Sequence, residues 1–171
     1  MTYQDLDNLI TFKMDVPSIY HIMLGMNEKD SCIFEDVLRS RETDNYTLNK
    51  FLKKYDIVVG TGITFDHRVV EIIVTIPYKK IEKKEAILLF NYFLHHTNFE
   101  LTHFYLDLNN EDCYKALGIF IHSNYYDILI TKETYEDEKD MEYISIKFTS
   151  NHTFIDKLHC LAIIANDGFY N

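Results

Sequence analysis

The chain of 171 residues contains no tryptophan, only two prolines, five glycines and three cysteines. So few residues that break helices or strands predict long regular elements joined by short connections. Cys32, Cys113 and Cys160 are widely spaced and form no CxxC pair, which excludes the common zinc-finger and thioredoxin-like motifs. An odd number of isolated cysteines also argues against a disulfide framework and favours a reducing, cytoplasmic location in the producing or host cell.

Long apolar runs are missing as well. No stretch reaches the roughly 18 apolar residues that a transmembrane helix needs, and residues 1–15 lack the basic region of a secretory signal. Basic residues are in the minority, with 17 Lys and Arg against 27 Asp and Glu and a net charge of −10. This balance disfavours nucleic acid and anionic membrane surfaces as partners, so we expect neither.

The chain contains many aromatic and β-branched residues, and the aromatic residues are 13 Tyr and 12 Phe. Its length is that of one ordinary domain, and we predict a single domain over residues 1–171. Helical spacing of apolar residues predicts a helix over residues 5–26, interrupted at Pro17, and two further helices over residues 31–55. The whole N-terminal third is therefore expected to be helical.

Beyond Asp56 the apolar period changes to that of strands. Strands are predicted at 57–65, 68–76, 99–108, 126–132 and 141–148. Gly60 and Gly62 indicate a bulge or a close backbone approach in the first of these strands. Helices are predicted at 81–96, with Phe90 and Leu94 buried, and at 152–166, with Leu158 and Ala162 buried; residues 113–122 fit either a helix or a strand.

Together these patterns predict an α+β fold of a single domain. The helical N-terminal third is followed by a mainly antiparallel sheet with helices packed on one face and a C-terminal helix. A similar order of elements occurs in secretion chaperones and in toxin-immunity proteins, but element order alone assigns no family.

Three of the eight histidines lie close together in sequence at positions 95, 96 and 103. Adjacent residues of a helix point about 100° apart, so His95 and His96 do not easily bind one metal ion. A site built from His96, His103 and Asp107 is geometrically open, but its spacing matches no known motif. We therefore expect no catalytic residue, no cofactor and no bound metal, and elemental analysis of the purified protein tests the last point.

No nucleophile motif or phosphate-binding loop is present, and the favoured function is binding to another protein without catalysis. Such a protein would mask its partner, as a chaperone, immunity protein or inhibitor does, through a charged and aromatic surface. The first candidate surface is the acidic tip, which we define as Glu136, Asp137, Glu138 and Asp140. A basic protein is the expected class of partner, and the sequence is also compatible with a homodimer. The alternative is a small enzyme that uses a His/acid cluster on nucleotides or phosphoesters.

Overall fold

A computed structural model of the chain describes residues 1–13, 16–96, 101–106, 117–122, 126–134 and 141–150, with the backbone alone described at 101–106, 117–122 and 131–134 and at positions 13, 16, 83, 90, 94 and 96. Within these ranges helices alternate with antiparallel strands, and the predicted α+β class is confirmed. The acidic tip and the predicted helix at 152–166 lie outside the described residues. The side chains of Phe90 and Leu94 do as well, so their predicted burial stays a prediction.

The N-terminal segment begins with a short helix, α1 (Tyr3–Leu9), which the Thr2 and Asp5 side chains close in a capping box. The chain then forms a three-stranded antiparallel sheet of β1 (Ile10–Lys13), β2 (Val16–Ile19) and β3 (Ile22–Met23). The predicted helix over 5–26 is therefore wrong beyond Leu9.

The physical reason for this error is a coincidence of spacing. Ile19 and Ile22 are both fully buried and pair across a two-residue turn. Such a turn places residues i and i+3 opposite each other, and the same interval brings two residues to one face of a helix. Pairing of Ile10 with Ile19 completes this apolar side of the small sheet.

Two helices follow, α2 (Glu28–Ser40) and α3 (Tyr46–Tyr55), close to the predicted positions. The side chain of Asn27 accepts a hydrogen bond from Lys29 N, and that of Asn45 accepts one from Leu48 N. Each therefore satisfies one free donor of the first helical turn. The apolar residues of α3 at helical spacing, Leu48, Phe51, Leu52 and Tyr55, are all buried, whereas Ile33 of α2 is 60% exposed and does not join the core.

A six-stranded antiparallel sheet forms the second half of the described structure. Its strands are β4 (Val58–Ile63), β5 (Val69–Pro77), β6 (Leu101–Leu106), β7 (Leu117–His122), β8 (Tyr126–Thr134) and β9 (Glu142–Ser150). They lie in the order β4-β5-β9-β8-β7-β6. The strands predicted at 57–65 and 68–76 pair antiparallel as β4 and β5, and those predicted at 126–132 and 141–148 pair antiparallel as β8 and β9. Residues 117–122 form a strand, so the strand alternative is correct for this part of the segment 113–122.

One face of this sheet carries the core. Its buried side chains are Ile72, Val74, Ile76, Tyr126, Ile128, Ile130, Ile144, Ile146 and Phe148. The helix α4 (Lys83–His96) packs there, and the rings of Phe93 and Phe148 lie 6.0 Å apart. A short 3₁₀ turn at Tyr78–Lys80 leads from β5 towards this helix.

The exposure of α4 and the register of β4 can each be compared with the prediction from sequence. Ile87 of α4 is 52% exposed, so the helix is less completely buried than its sequence indicates. The register of β4 shifts between Gly62 and Ile63, which confirms the predicted bulge. Within the described ranges, no helix is long and apolar enough to cross a membrane.

Candidate functional site

An open cavity of about 480 Å³ lies where the small sheet meets the loop between α2 and α3. We call it the aromatic cleft. Its walls include Asn8, Thr11, Tyr20, His21, Asp44, Asn45 and Tyr46. These residues come from α1, β1, the β2–β3 turn and the start of α3, so four separate segments build one site.

The turn between β2 and β3 presents two rings to this cleft. Tyr20 has a φ of 56°, a left-handed conformation that glycine adopts readily and bulky side chains rarely do. Its backbone N–H donates to Leu9 O at 2.6 Å, which ties the turn to the end of α1. Backbone strain of this kind persists only where the surroundings hold it, and it is frequent at binding sites.

Packing among the rings fixes their positions further. The ring of His21 lies 4.2 Å from that of Tyr20 and 5.1 Å from that of Phe34 on α2. Tyr20 and Phe34 meet edge to face at 6.1 Å. Phe34 in turn packs against the core, so the aromatic group is anchored and its outer members stay accessible.

A carboxylate completes the cleft. The Tyr20 hydroxyl donates to Asp44 Oδ1 at 3.1 Å. Burial, followed by this hydrogen bond and the negative charge of Asp44, raises the pKa of the Tyr20 hydroxyl above its ordinary value. Tyr20 therefore remains a hydrogen-bond donor at neutral pH, and Asp44 is held at the wall of the cleft.

Tyr46 is an open aromatic wall of the cleft, because 72% of it is exposed. It is the first residue of α3, directly after the capping Asn45. Lys50 Nζ lies over its ring, 4.5 Å from the centroid. The side chain of Asn45 also joins α3 to α1, because its Nδ2 donates a hydrogen bond to Asn8 Oδ1 at 3.1 Å.

A second polar group, the Glu85 cluster, has a buried centre at Glu85 and Tyr55 and one exposed member, Lys54. It consists of Glu85, Tyr55, Lys54 and the ammonium group of Met1. Glu85 is 9% exposed, and its Oε1 accepts hydrogen bonds from the Tyr55 hydroxyl at 2.5 Å and from the Met1 ammonium at 2.6 Å. Lys54 Nζ donates to the Tyr55 hydroxyl at 2.8 Å.

The electrostatics of this cluster hold Glu85 as a carboxylate. Burial by itself raises the pKa of Glu85, but hydrogen bonds from the Met1 ammonium, Tyr55 and the Glu82 backbone outweigh it and lower the pKa to about 2. The pKa of Tyr55 is raised by burial and by its hydrogen bond to Glu85. The hydrogen bonds of the cluster join Tyr55 of α3 and the Met1 ammonium to Glu85 of α4, and this gives the cluster a structural role.

The sites predicted from sequence fall largely outside what the structure describes. His95 is exposed on α4, whereas the side chains of His96 and His103 and the whole of Asp107 are not described. All four residues of the acidic tip are outside the described residues too. Among the side chains that are described, no group of three His, Cys, Asp or Glu residues could hold a metal ion.

The aromatic cleft is not predicted from the sequence, because the apolar spacing places Tyr20 and His21 in a helix. The signal that could have identified the turn is the run of β-branched and aromatic residues at positions 10–12, followed by Pro17, which is more typical of strands than of a helix interior. Comparisons with protein-family models, with curated proteins and with solved structures find no match to this chain.

Proposed function

We propose that the protein is a non-enzymatic protein-binding module that masks a partner protein, with the aromatic cleft as part of its binding surface. The observation that carries this proposal is the anchored group of exposed rings beside the Asp44 carboxylate. Tyrosine side chains suit interfaces because they combine a large apolar area with a polar end and lose little conformational entropy on binding.

The cleft is also organised before any partner arrives. Tyr20 is tied to Leu9 and Asp44, and Phe34 supports both rings of the turn. A surface that is already ordered spends little free energy on ordering itself when it binds. Exposed aromatic residues on such a surface are the usual centres of binding energy in protein interfaces.

Charge supports the same function. The net charge of −10 favours association with a basic protein through electrostatic steering. The exposed carboxylate of Asp44 in the cleft matches that preference at close range.

The experiment compares three forms of the chain as bait for interacting proteins in a cell lysate. These are the wild type, a double variant Tyr46→Ala with His21→Ala, and the control Ile87→Ser, which changes an exposed apolar residue in a separate cavity beside Tyr3 and Leu88. A protein that the wild type and the control retain, and the double variant does not, is then purified and its affinity is measured by calorimetry.

We expect the double variant to lose at least about 2 kcal/mol of binding free energy, roughly thirtyfold in Kd. Its melting temperature should match that of the wild type, since both changed side chains are exposed. If every retained protein binds all three forms equally, the cleft is not an interface and the proposal is wrong. Equal loss of binding in the control variant would lead to the same conclusion.

A further inference from the structure

Among the described residues, the Asp44 carboxylate has no cationic partner. Its Oδ1 accepts a hydrogen bond from the Tyr20 hydroxyl, and in the part of the chain that the structure describes no Lys, Arg or His nitrogen lies within 4.0 Å of it. Some other exposed acids have such partners, as Asp36 has Arg39 at 3.2 Å and Glu82 has Lys84 at 2.8 Å, whereas Asp30, Glu42 and Asp66 resemble Asp44 in having none among the described residues. The cleft therefore offers an unused negative charge.

Aromatic rings line the same cavity as this charge. Tyr20, His21 and Tyr46 are among its lining residues together with Asp44, and Phe34 packs on the rings of Tyr20 and His21 from outside the lining. The faces of tyrosine rings attract cations. The structure contains one instance at this place, because Lys50 Nζ already lies over the Tyr46 ring at 4.5 Å.

Other classes of ligand fit less well. The N-terminus of α3 favours anions, but Asp44 stands two residues before it and repels a phosphate or a carboxylate. A purely apolar side chain would cover Asn8, Asp44 and Asn45, whose polar atoms lose hydration without gaining new hydrogen bonds. A cation with a flat, delocalised surface satisfies both the rings and the carboxylate.

We propose that the aromatic cleft binds an arginine side chain of the protein partner, with the guanidinium group against the tyrosine rings and paired with the Asp44 carboxylate. Guanidinium is planar, stacks on aromatic faces and donates two parallel hydrogen bonds to one carboxylate, whereas the ammonium group of lysine acts as a compact point charge. This proposal rests on the proposed function, since it identifies which side chain of the partner the module recognises.

The test uses nuclear magnetic resonance of the uniformly ¹⁵N-labelled full chain. Three blocked tripeptides serve as probes, with arginine, lysine or citrulline in the central position; citrulline has nearly the shape of arginine but no charge. We expect the arginine peptide to shift the amide signals of Asp44, Asn45 and Tyr46. Binding should be weak because a single side chain supplies the contact. The citrulline peptide should produce no shifts at these positions.

Three variants distinguish binding in the cleft from attraction to the general negative charge of the protein. Asp44→Asn should weaken the arginine peptide about two- to fivefold, the range for exposed charge pairs. Asp36→Asn removes one negative charge from α2 and should leave the affinity unchanged. Tyr46→Ser should weaken the peptide by a similar factor of about two to five, as expected for one exposed cation–π contact.

The outcomes are distinguishable from those of the function test. Equal shifts with citrulline or with lysine, or equal weakening by Asp44→Asn and Asp36→Asn, would overturn the arginine assignment even if a partner depends on the cleft. If the arginine peptide binds as expected and no protein depends on the cleft, the cleft is a guanidinium site. In that case only the proposed masking function is wrong.

Discussion

Replacing Glu85 by glutamine tests the electrostatics of the Glu85 cluster directly. Glutamine has the same shape and keeps one acceptor oxygen, but it removes the charge that the Met1 ammonium and Tyr55 face at 2.6 and 2.5 Å. It also places an N–H donor where Glu85 Oε2 now accepts from Glu82 N at 3.0 Å. The side chain stays buried between α3 and α4, so the protein has no easy way to rehydrate the altered group.

The size of the effect follows from the pKa of Glu85. A fall from the ordinary value of 4.5 to about 2 corresponds to about 3.5 kcal/mol of stability at neutral pH, at roughly 1.4 kcal/mol per pH unit. The folded pKa lies below the unfolded one, so this stabilisation is complete above about pH 4.5 and is lost as the pH falls towards 2. The wild type and Glu85→Gln should therefore differ most at pH 7 and converge in acid.

Urea unfolding followed by circular dichroism, at several pH values between 7 and 3, measures this difference. Glu82→Gln is the matched control, because Glu82 is exposed one turn away and pairs only with the exposed Lys84 among the described residues; it should change the free energy of unfolding by less than about 1 kcal/mol. A Glu85→Gln deficit below about 1 kcal/mol at pH 7, or one that stays constant down to pH 3, would refute the reasoning.

Three further changes probe the fold and the predicted interface. Ala at Gly62 brings a Cβ within 3.0 Å of the Glu71 Cβ, whereas Ala at Gly60 meets nothing within 4 Å; thermal unfolding should show Gly62→Ala destabilised by about 1 kcal/mol and Gly60→Ala unchanged or slightly more stable. Asn45→Ala removes the cap of α3 and should cost about 1–2 kcal/mol in urea unfolding, with a cost near zero arguing against the cap. Changing the whole acidic tip to Ser should slow association with a basic partner and flatten its salt dependence in stopped-flow measurements, and identical rates would show that the tip does not steer.

Local sequence features were sufficient for much of the fold. The capped helices α2 and α3, the helix α4 and the hairpins β4–β5 and β8–β9 all lie close to their predicted positions. Their signals are local, because a cap, an apolar period and a turn depend on residues a few positions apart. The bulge after Gly62 was predictable for the same reason.

Contacts between distant residues decided the rest. The pairing of β5 with β9 joins Ile72 to Phe148, and no pattern within either strand specifies that neighbour. Ile33 and Ile87 fit apolar stripes in sequence, yet the packing of other elements leaves both exposed.

The candidate site shows most clearly that local sequence patterns do not specify contacts between distant residues. The cleft brings Asn8, Tyr20, Asp44 and Tyr46 together from two segments, 5–26 and 31–55, for which the apolar spacing predicts helices. The interval of Ile19 and Ile22 suits a helix and a two-residue hairpin alike, so local spacing could not choose between them. Tertiary structure chose, because the hairpin buries both isoleucines completely and gives the β1–β3 backbone its hydrogen-bond partners.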